Sequence, residues 1–404
     1  MITSITIENF KSLQKVELSL GALNLFVGTN ASGKSNLFDA LRVLQGIGYG
    51  FTVDEIFNGK PKSAGAEVWE AIRGGGGKAV FSGLGQTTVE TSVNFKVGLL
   101  VNELPLTYSV KLAPVQSRVV FESLTGPEGE VFRLDGTHES EPLVTHFSRR
   151  GAQEQPEILE LDRSRTLLQQ LASHLNFVPR EHVTAIRACV HGLQNFQRID
   201  PSPTILRDYS SARTAKRMGE RGENFAALVK TICQDQKLKS AYLAWLRQLT
   251  PAEVDDVTVL EGAVGEPLFA ISEGGVSRPA PVLSDGTLRF AAITAAFFQP
   301  DMPDVMTIEE IENGIHPSRL RLLVELLRSQ AAKDHRQIMA TTHSPIVLAW
   351  LHENEYKHTF FCRRDESTGA SRVCPLDEVT DFVELVRKRP IGDLFSEGWL
   401  EGAL

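Results

Sequence analysis

The 404-residue chain has few cysteines, only four, and none forms a C-x-x-C pair: Cys189, Cys233, Cys362 and Cys374 lie far apart. That spacing offers neither a disulfide framework nor a zinc ligand set, and it points to buried free thiols in a reducing compartment. No apolar run reaches the length needed to cross a bilayer. The N-terminus, Met1-Ile2-Thr3-Ser4-Ile5, lacks a basic region followed by an apolar core, so the expected location is cytoplasmic, with no membrane partner. Excess positive charge is also missing. Against 42 Lys plus Arg stand 50 Asp plus Glu, so the surface as a whole repels a phosphate backbone and any nucleic-acid site must be a local patch. There is no internal repeat. The one low-complexity run, Gly74-Gly75-Gly76-Gly77, has no Lys and Ser/Thr opening a helix behind it and reads as a flexible surface loop.

What is present suits more than one apolar core and two to three domain-sized units. Ile2, Ile5 and Ile7 alternate as in a strand, Val16 to Leu20 forms a second candidate, and Leu23 to Val27 a third, followed by a Gly-rich turn and a helical pattern in Leu37, Leu41 and Leu44. From about Val80 to Phe132, short runs separated by turn residues predict an antiparallel sheet. The period becomes helical between about Pro156 and Leu249. Beyond Pro251, strand Val305 to Ile308, helix Pro317 to Leu327 and strand Gln337 to Thr341 alternate as a parallel α/β core would. The expected organisation is a core split by its middle: residues 1–150, an inserted helical arm over 151–250, and a return to the core over 251–404.

Four segments carry chemistry. Gly28-Thr29-Asn30-Ala31-Ser32-Gly33-Lys34-Ser35 fits G-x-x-x-x-G-K-[ST] between a strand and a helix. Its backbone N–H groups, from Gly28, Asn30, Ala31, Ser32 and Gly33 on to Asn36, can face phosphates. Lys34 supplies charge to the β- and γ-phosphates and Ser35 a hydroxyl to Mg²⁺. The strand Val305-Met306-Thr307-Ile308 ends in Glu309 and Glu310, of which the first can hold hydrated Mg²⁺ and the second can orient or deprotonate a water. Alone, a strand ending in Glu is an ordinary surface feature. Leu283-Ser284-Asp285-Gly286-Thr287 turns into a helix whose first N–H groups, with the Ser284 hydroxyl and the close approach Gly286 allows, suit a terminal phosphate. A routine capped helix is the alternative. Finally, the strand through Thr342 delivers His343, which can hydrogen-bond a γ-phosphate and the attacking water. The order phosphate loop, signature, acids, histidine favours the functional reading of all four.

With these segments in place, the chain resembles the predicted ABC-type ATPases related to the chromosome-maintenance, recombination-protein and overcoming-lysogenisation-defect (OLD) ATPases. The resemblance also takes in Ile5-Thr6-Ile7-Glu8-Asn9-Phe10-Lys11-Ser12, Ile311-Glu312-Asn313-Gly314-Ile315-His316-Pro317 and the ending Ile391-Gly392-Asp393-Leu394-Phe395. It implies an α/β P-loop NTPase core of mixed sheet with flanking helices, an antiparallel β subdomain and a helical arm. It makes Glu309 the Walker B acid in place of the usual Asp, Glu310 the catalytic base, and Asn313 to His316 a loop crossing a dimer interface. Ile311 stands where proline is usual, and Gln86 is one candidate for the glutamine linking metal to arm. The chain runs about sixty residues beyond His343, short for a separate Toprim nuclease domain. An effector encoded separately, as in bacterial defence systems, is therefore the expected kind of partner.

A protomer with one phosphate loop and a second γ-phosphate binder implies a head-to-tail homodimer, closed by ATP and reopened by hydrolysis, that controls a nucleic acid or a protein effector. The alternative is an ATP-dependent scaffold or inhibitor of such an effector with little need for turnover. Arg207, Arg213, Lys216, Arg217 and Arg221 form one candidate DNA or RNA contact, against which stands the ordinary reading of solvated loop charge. A transporter subunit is disfavoured, since no glutamine follows Leu283-Ser284-Asp285-Gly286.

Overall fold

The computed structural model describes residues 1–61, 67–83, 90–135, 144–147, 161–249, 254–333 and 336–399. They fall into two compact units. The first comprises Met1–Gly21, Gly28–Phe196 and Phe361–Cys374, the second Ala22–Val27, Gln197–Phe360 and Pro375–Leu404.

The first unit is built on a seven-stranded antiparallel sheet in the order Val144–Phe147, Gly129–Asp135, Arg118–Gly126, Leu104–Ala113, Val93–Val101, Ile2–Phe10, Leu13–Ser19. Period-two burial follows from the sequence: Val93, Phe95, Val97, Leu99 and Val101 lie inside, as do Leu106, Tyr108, Val110 and Leu112 on the neighbouring strand. The helix Arg180–Gln194 covers these two strands, and Gly192 lets it come close, because a Cβ there would lie 2.9 Å from Val101. The phosphate-loop helix, Lys34–Gly48, packs on the same helix. A Cβ on Gly48 would meet the Leu193 backbone at 2.6 Å.

Glu122 is an unusual member of this interior. Its buried carboxylate accepts the N–H groups of Leu167 at 2.6 Å and Leu168 at 2.9 Å, at the start of the helix Leu167–Ser173, and the Tyr108 hydroxyl at 2.9 Å. Burial pushes the carboxyl up to about 7 against the opposing pull of those three donors.

The second unit contains parallel strands Val305–Ile308, Gln337–Thr342 and Leu23–Val27 side by side, with Phe196–Ile199 next to the first of these. Every residue of the strands Val305–Ile308 and Gln337–Thr342 is buried, Thr307, Gln337, Thr341 and Thr342 included, as in a parallel sheet covered on both faces. A three-stranded antiparallel sheet, Val254–Glu261, Pro267–Glu273 and Val276–Pro279, packs under the helix Phe225–Gln234, with the Phe225 and Phe269 rings 4.7 Å apart. The helices Asp285–Ala296 and Pro317–Ala331 complete the unit.

The stretch 151–250 is shared between the units: Leu167–Ser173 and Arg180–Gln194 belong to the first, Phe225–Gln234 and Gln236–Leu249 to the second. The Gly74 to Gly77 run is not a free surface loop. Gly76 is buried in a short 3₁₀ turn, and its N–H donates to the Asn58 carboxamide oxygen at 3.0 Å.

Candidate functional site

In the first unit the phosphate loop wraps around its own lysine. The Lys34 ammonium donates to the Gly28 carbonyl at 2.6 Å and the Thr29 carbonyl at 2.8 Å, and lies 3.3 Å from the Ser32 hydroxyl. Two glycines are sterically required. A Cβ on Gly28 would sit 2.0 Å from the Cys362 carbonyl oxygen, and one on Gly33, at φ 103°, would sit 2.1 Å from the Ser371 hydroxyl. Ala31 also takes a left-handed conformation, at φ 64°. The helix begins at Lys34 with no side-chain cap, which leaves its N-terminus to a ligand's charge. The Asn36 carboxamide donates to the Ser12 hydroxyl at 2.7 Å, and Ser12 in turn bonds Ser371 at 2.6 Å, so Asn36 braces the loop.

Beside this helix opens a cavity of about 840 Å³, lined in part by Ser12, Asn36, Lys11, Arg73, Lys78 and Arg364. The Arg73 guanidinium reaches the Ser35 carbonyl at 2.7 Å and the buried Asp39 carboxylate at 3.1 Å; Lys11 pairs with the same carboxylate. Burial lowers the Lys11 ammonium from its ordinary range and Asp39 opposes that shift. Positive charge beside an uncapped helix start, with room for a small organic ligand, is compatible with an anionic ligand such as a nucleotide. Sequence reasoning assigned no role to Lys11, Arg73 or Arg364. Only Lys11 stood in a quoted motif, and Gly74 and Gly77 line the cavity as well.

The second unit gathers the acids and the histidine. Val27 lies opposite Thr342, so these two strands end level, and Ile308 lies opposite Ala340, so the strand Val305–Ile308 ends two residues earlier on the same side of the sheet. In the chain, the residues that follow them are Gly28, His343 and Glu309. Glu309 is 12% exposed and its carboxylate pairs with Arg198 at 3.0 Å, whose other nitrogen holds Glu220 at 3.0 Å. Glu310 adopts a left-handed φ of 46°, a costly conformation for a non-glycine residue. Two contacts hold it: its N–H donates to the Thr341 hydroxyl at 2.9 Å, and Arg289 donates to the Glu309 and Glu310 carbonyls at 3.0 and 3.3 Å. The Glu310 side chain, 46% exposed, lies 3.7 Å from His343 Nε2.

Ser284 is exposed at the N-terminus of Asp285–Ala296, where its hydroxyl accepts the Thr287 N–H at 3.2 Å. Gly286 has a different reason to be glycine than approach to a ligand: a Cβ there would lie 2.4 Å from the Gly314 carbonyl oxygen. The basic stretch is largely committed to partners inside this unit. Arg207 pairs with Asp285 at 2.6 Å and donates to the Leu283 carbonyl at 2.9 Å, Arg217 pairs with Asp301 at 3.5 Å, and Arg213 reaches the Val264 carbonyl at 3.3 Å. Gln86 lies outside the described residues. The Ser35 hydroxyl in the first unit and the Glu309 carboxylate in the second are each oxygen donors of the kind a hard cation takes.

The glycine-rich turn and helix of the first unit, and the acid pair, histidine and exposed helix start of the second, are the parts expected of a nucleotide-hydrolysing core. The comparisons with known proteins agree. Residues 1–60 match the family described as "AAA ATPase domain", and residues 247–349 the family "AAA domain, putative AbiEii toxin, Type IV TA system". An "ATP/GTP phosphatase" of Helicobacter pylori is 24% identical over 383 residues, covering 91% of this chain and 93% of the relative. Among solved structures, an Smc head bound to the C-winged helix domain of ScpA is similar with a TM-score of 0.55 at 12% identity, over 93% of this chain and 99% of that one. An Smc head with an extended coiled coil, bound to the C-terminal domain of ScpA derived from Pyrococcus furiosus, gives 0.53 at 12% identity, over 96% and 99%. The chain has an Smc-head-like ABC ATPase fold, carries AAA ATPase matches over residues 1–60 and 247–349, and is an ATPase.

Proposed function

We propose that two copies of the chain bind ATP between them head to tail, Lys34 of one and Ser284 of the other gripping the same triphosphate, and that hydrolysis reopens the pair. Lys34 and Ser35 hold the phosphates, with Gly28, Asn30, Ala31, Ser32, Gly33 and Asn36 shaping the loop. Ser35 and Glu309 hold Mg²⁺, which when bound neutralises phosphate charge. Glu310 orients and deprotonates the attacking water, and His343 hydrogen-bonds the γ-phosphate. The observation that carries this reading is the presentation of Ser284. Its helix start is exposed, it sits beside Val282 at 66% exposure, and the Arg207–Asp285 pair braces it.

We assign control of a protein effector to this dimer, rather than recognition of DNA or RNA. The internal pairing of Arg207, Arg213 and Arg217 argues against a free basic patch. The family description naming a toxin, and the partner-bound Smc heads, support an effector in a defence or toxin setting. Four free cysteines support a reducing, cytoplasmic location. Light scattering of Glu310→Gln tests the dimer: Mg-ATP is expected to double the particle mass, and a monomer at saturating nucleotide overturns the reading.

A further inference from the structure

We propose that Glu312 is a positioning residue for His343, fixing its ring and the nitrogen that carries its proton; this rests on the assignment of His343 to the hydrolytic site. The left-handed turn at Glu310 and the burial of Ile311 bring the Glu312 side chain back toward the end of the strand Gln337–Thr342. There one Glu312 carboxylate oxygen accepts the His343 backbone N–H at 2.7 Å, and the same oxygen lies 3.6 Å from His343 Nε2. An ionised acceptor on a backbone N–H is among the stronger hydrogen bonds, so it pins the chain where strand gives way to loop. Because that oxygen also faces the ring, one carboxylate fixes both the backbone and the imidazole.

Glu312 is only 14% exposed, and its second oxygen is buried with no hydrogen-bond partner among the described residues. A buried unsatisfied acceptor is costly, and an apolar or amide side chain would avoid leaving a charge there. The negative charge has a use at the ring. Glu310 faces His343 Nε2 from 3.7 Å and Glu312 from 3.6 Å, while Nδ1 is buried with no hydrogen-bond partner among the described residues. Two carboxylates facing Nε2 favour the form with the proton on that nitrogen by their charge, and because both lie beyond hydrogen-bond distance the N–H can donate to a phosphate oxygen. Glu312 thereby makes His343 a donor rather than an acceptor, without touching the nucleotide itself.

The test is steady-state hydrolysis and binding of a fluorescent ATP analogue by Glu312→Ala, Glu312→Gln, His343→Ala and the Glu312→Ala/His343→Ala pair, each checked for a native melting transition. Loss of an orienting partner is expected to lower kcat about 10- to 100-fold with little change in analogue affinity. Glu312→Gln recovers part of that loss, since its carbonyl oxygen can still accept the His343 N–H. In the His343→Ala background, Glu312→Ala costs less than about threefold more, the sign of two residues acting through one another. An equal loss in both backgrounds, or parental kcat in Glu312→Ala, overturns the proposal alone. His343→Ala turning over at the parental rate overturns both the assignment of His343 and this proposal with it.

Discussion

Replacing Glu122 by Gln should change how stability depends on pH, and the structure fixes the sign. Burial raises this carboxyl from an ordinary 4.5 to about 7, while Leu168, Leu167 and Tyr108 pull it back by donating to the ionised form. A carboxyl whose pKa is raised on folding contributes stability that is complete below the unfolded value and is lost as pH rises through the folded one. Between about pH 4.5 and pH 7 the folded chain holds a proton here that the unfolded chain has released. A shift of some two and a half units corresponds to about 3 kcal/mol lost across that window, at about 1.4 kcal/mol per unit. Glutamine cannot titrate and cannot satisfy all three donors at once, so it adds a pH-independent penalty and removes the slope. Hydrogen exchange of peptides covering 93–126, variant against parent at matched pH, reads the opening free energy of this sheet. The difference should move in the variant's favour by about 2.5 kcal/mol from pH 5 to pH 8, since the part of the shift below pH 5 is not sampled. A difference that stays constant over that range would show that the three donors keep Glu122 ionised and would refute the reasoning.

Two further outcomes follow from the site. Gly33→Ala forces a Cβ to within 2.1 Å of the Ser371 hydroxyl at a φ of 103°, so ATP-analogue binding should fall at least about tenfold, with about 1–3 kcal/mol of local strain; unchanged binding would remove the steric role of this glycine. Arg289→Met removes a buried guanidinium that pairs with Asp200 at 3.1 Å and holds the Glu309 and Glu310 carbonyls. Because Asp200 is partly exposed, denaturant unfolding should show a loss nearer about 2 kcal/mol than the larger cost of a fully buried pair, and kcat should fall more than nucleotide affinity.

The strands and the helix that carry the glycine-rich loop, the acid pair and the histidine were legible because each is a contiguous segment whose turn chemistry and strand period are local properties. The strand Val305–Ile308 was bounded correctly from its apolar run, and Leu23–Val27 likewise. The basic stretch was not legible in the same way. Arg207 and Arg217 stood as a candidate nucleic-acid contact beside the ordinary reading of solvated loop charge, and only the fold supplied their partners Asp285 and Asp301, which lie far along the chain. Gly286 read as room for a ligand, yet its immediate neighbour is the Gly314 backbone.

By itself, the sequence determined the order of the candidate motifs, the strand preceding the phosphate loop and the antiparallel character of the stretch from about Val80 to Phe132, since hydrogen-bonded elements repeat within a few residues. Only tertiary structure decided that Arg73 joins Lys11 at Asp39, that Arg198 takes the carboxylate of Glu309, that Glu122 is buried at a helix start, and that Glu312 reaches His343. The physical reason is that a charge's role depends on which distant groups the chain path brings within a few ångströms and how much water burial removes around them. Neither quantity can be read from the few residues on either side.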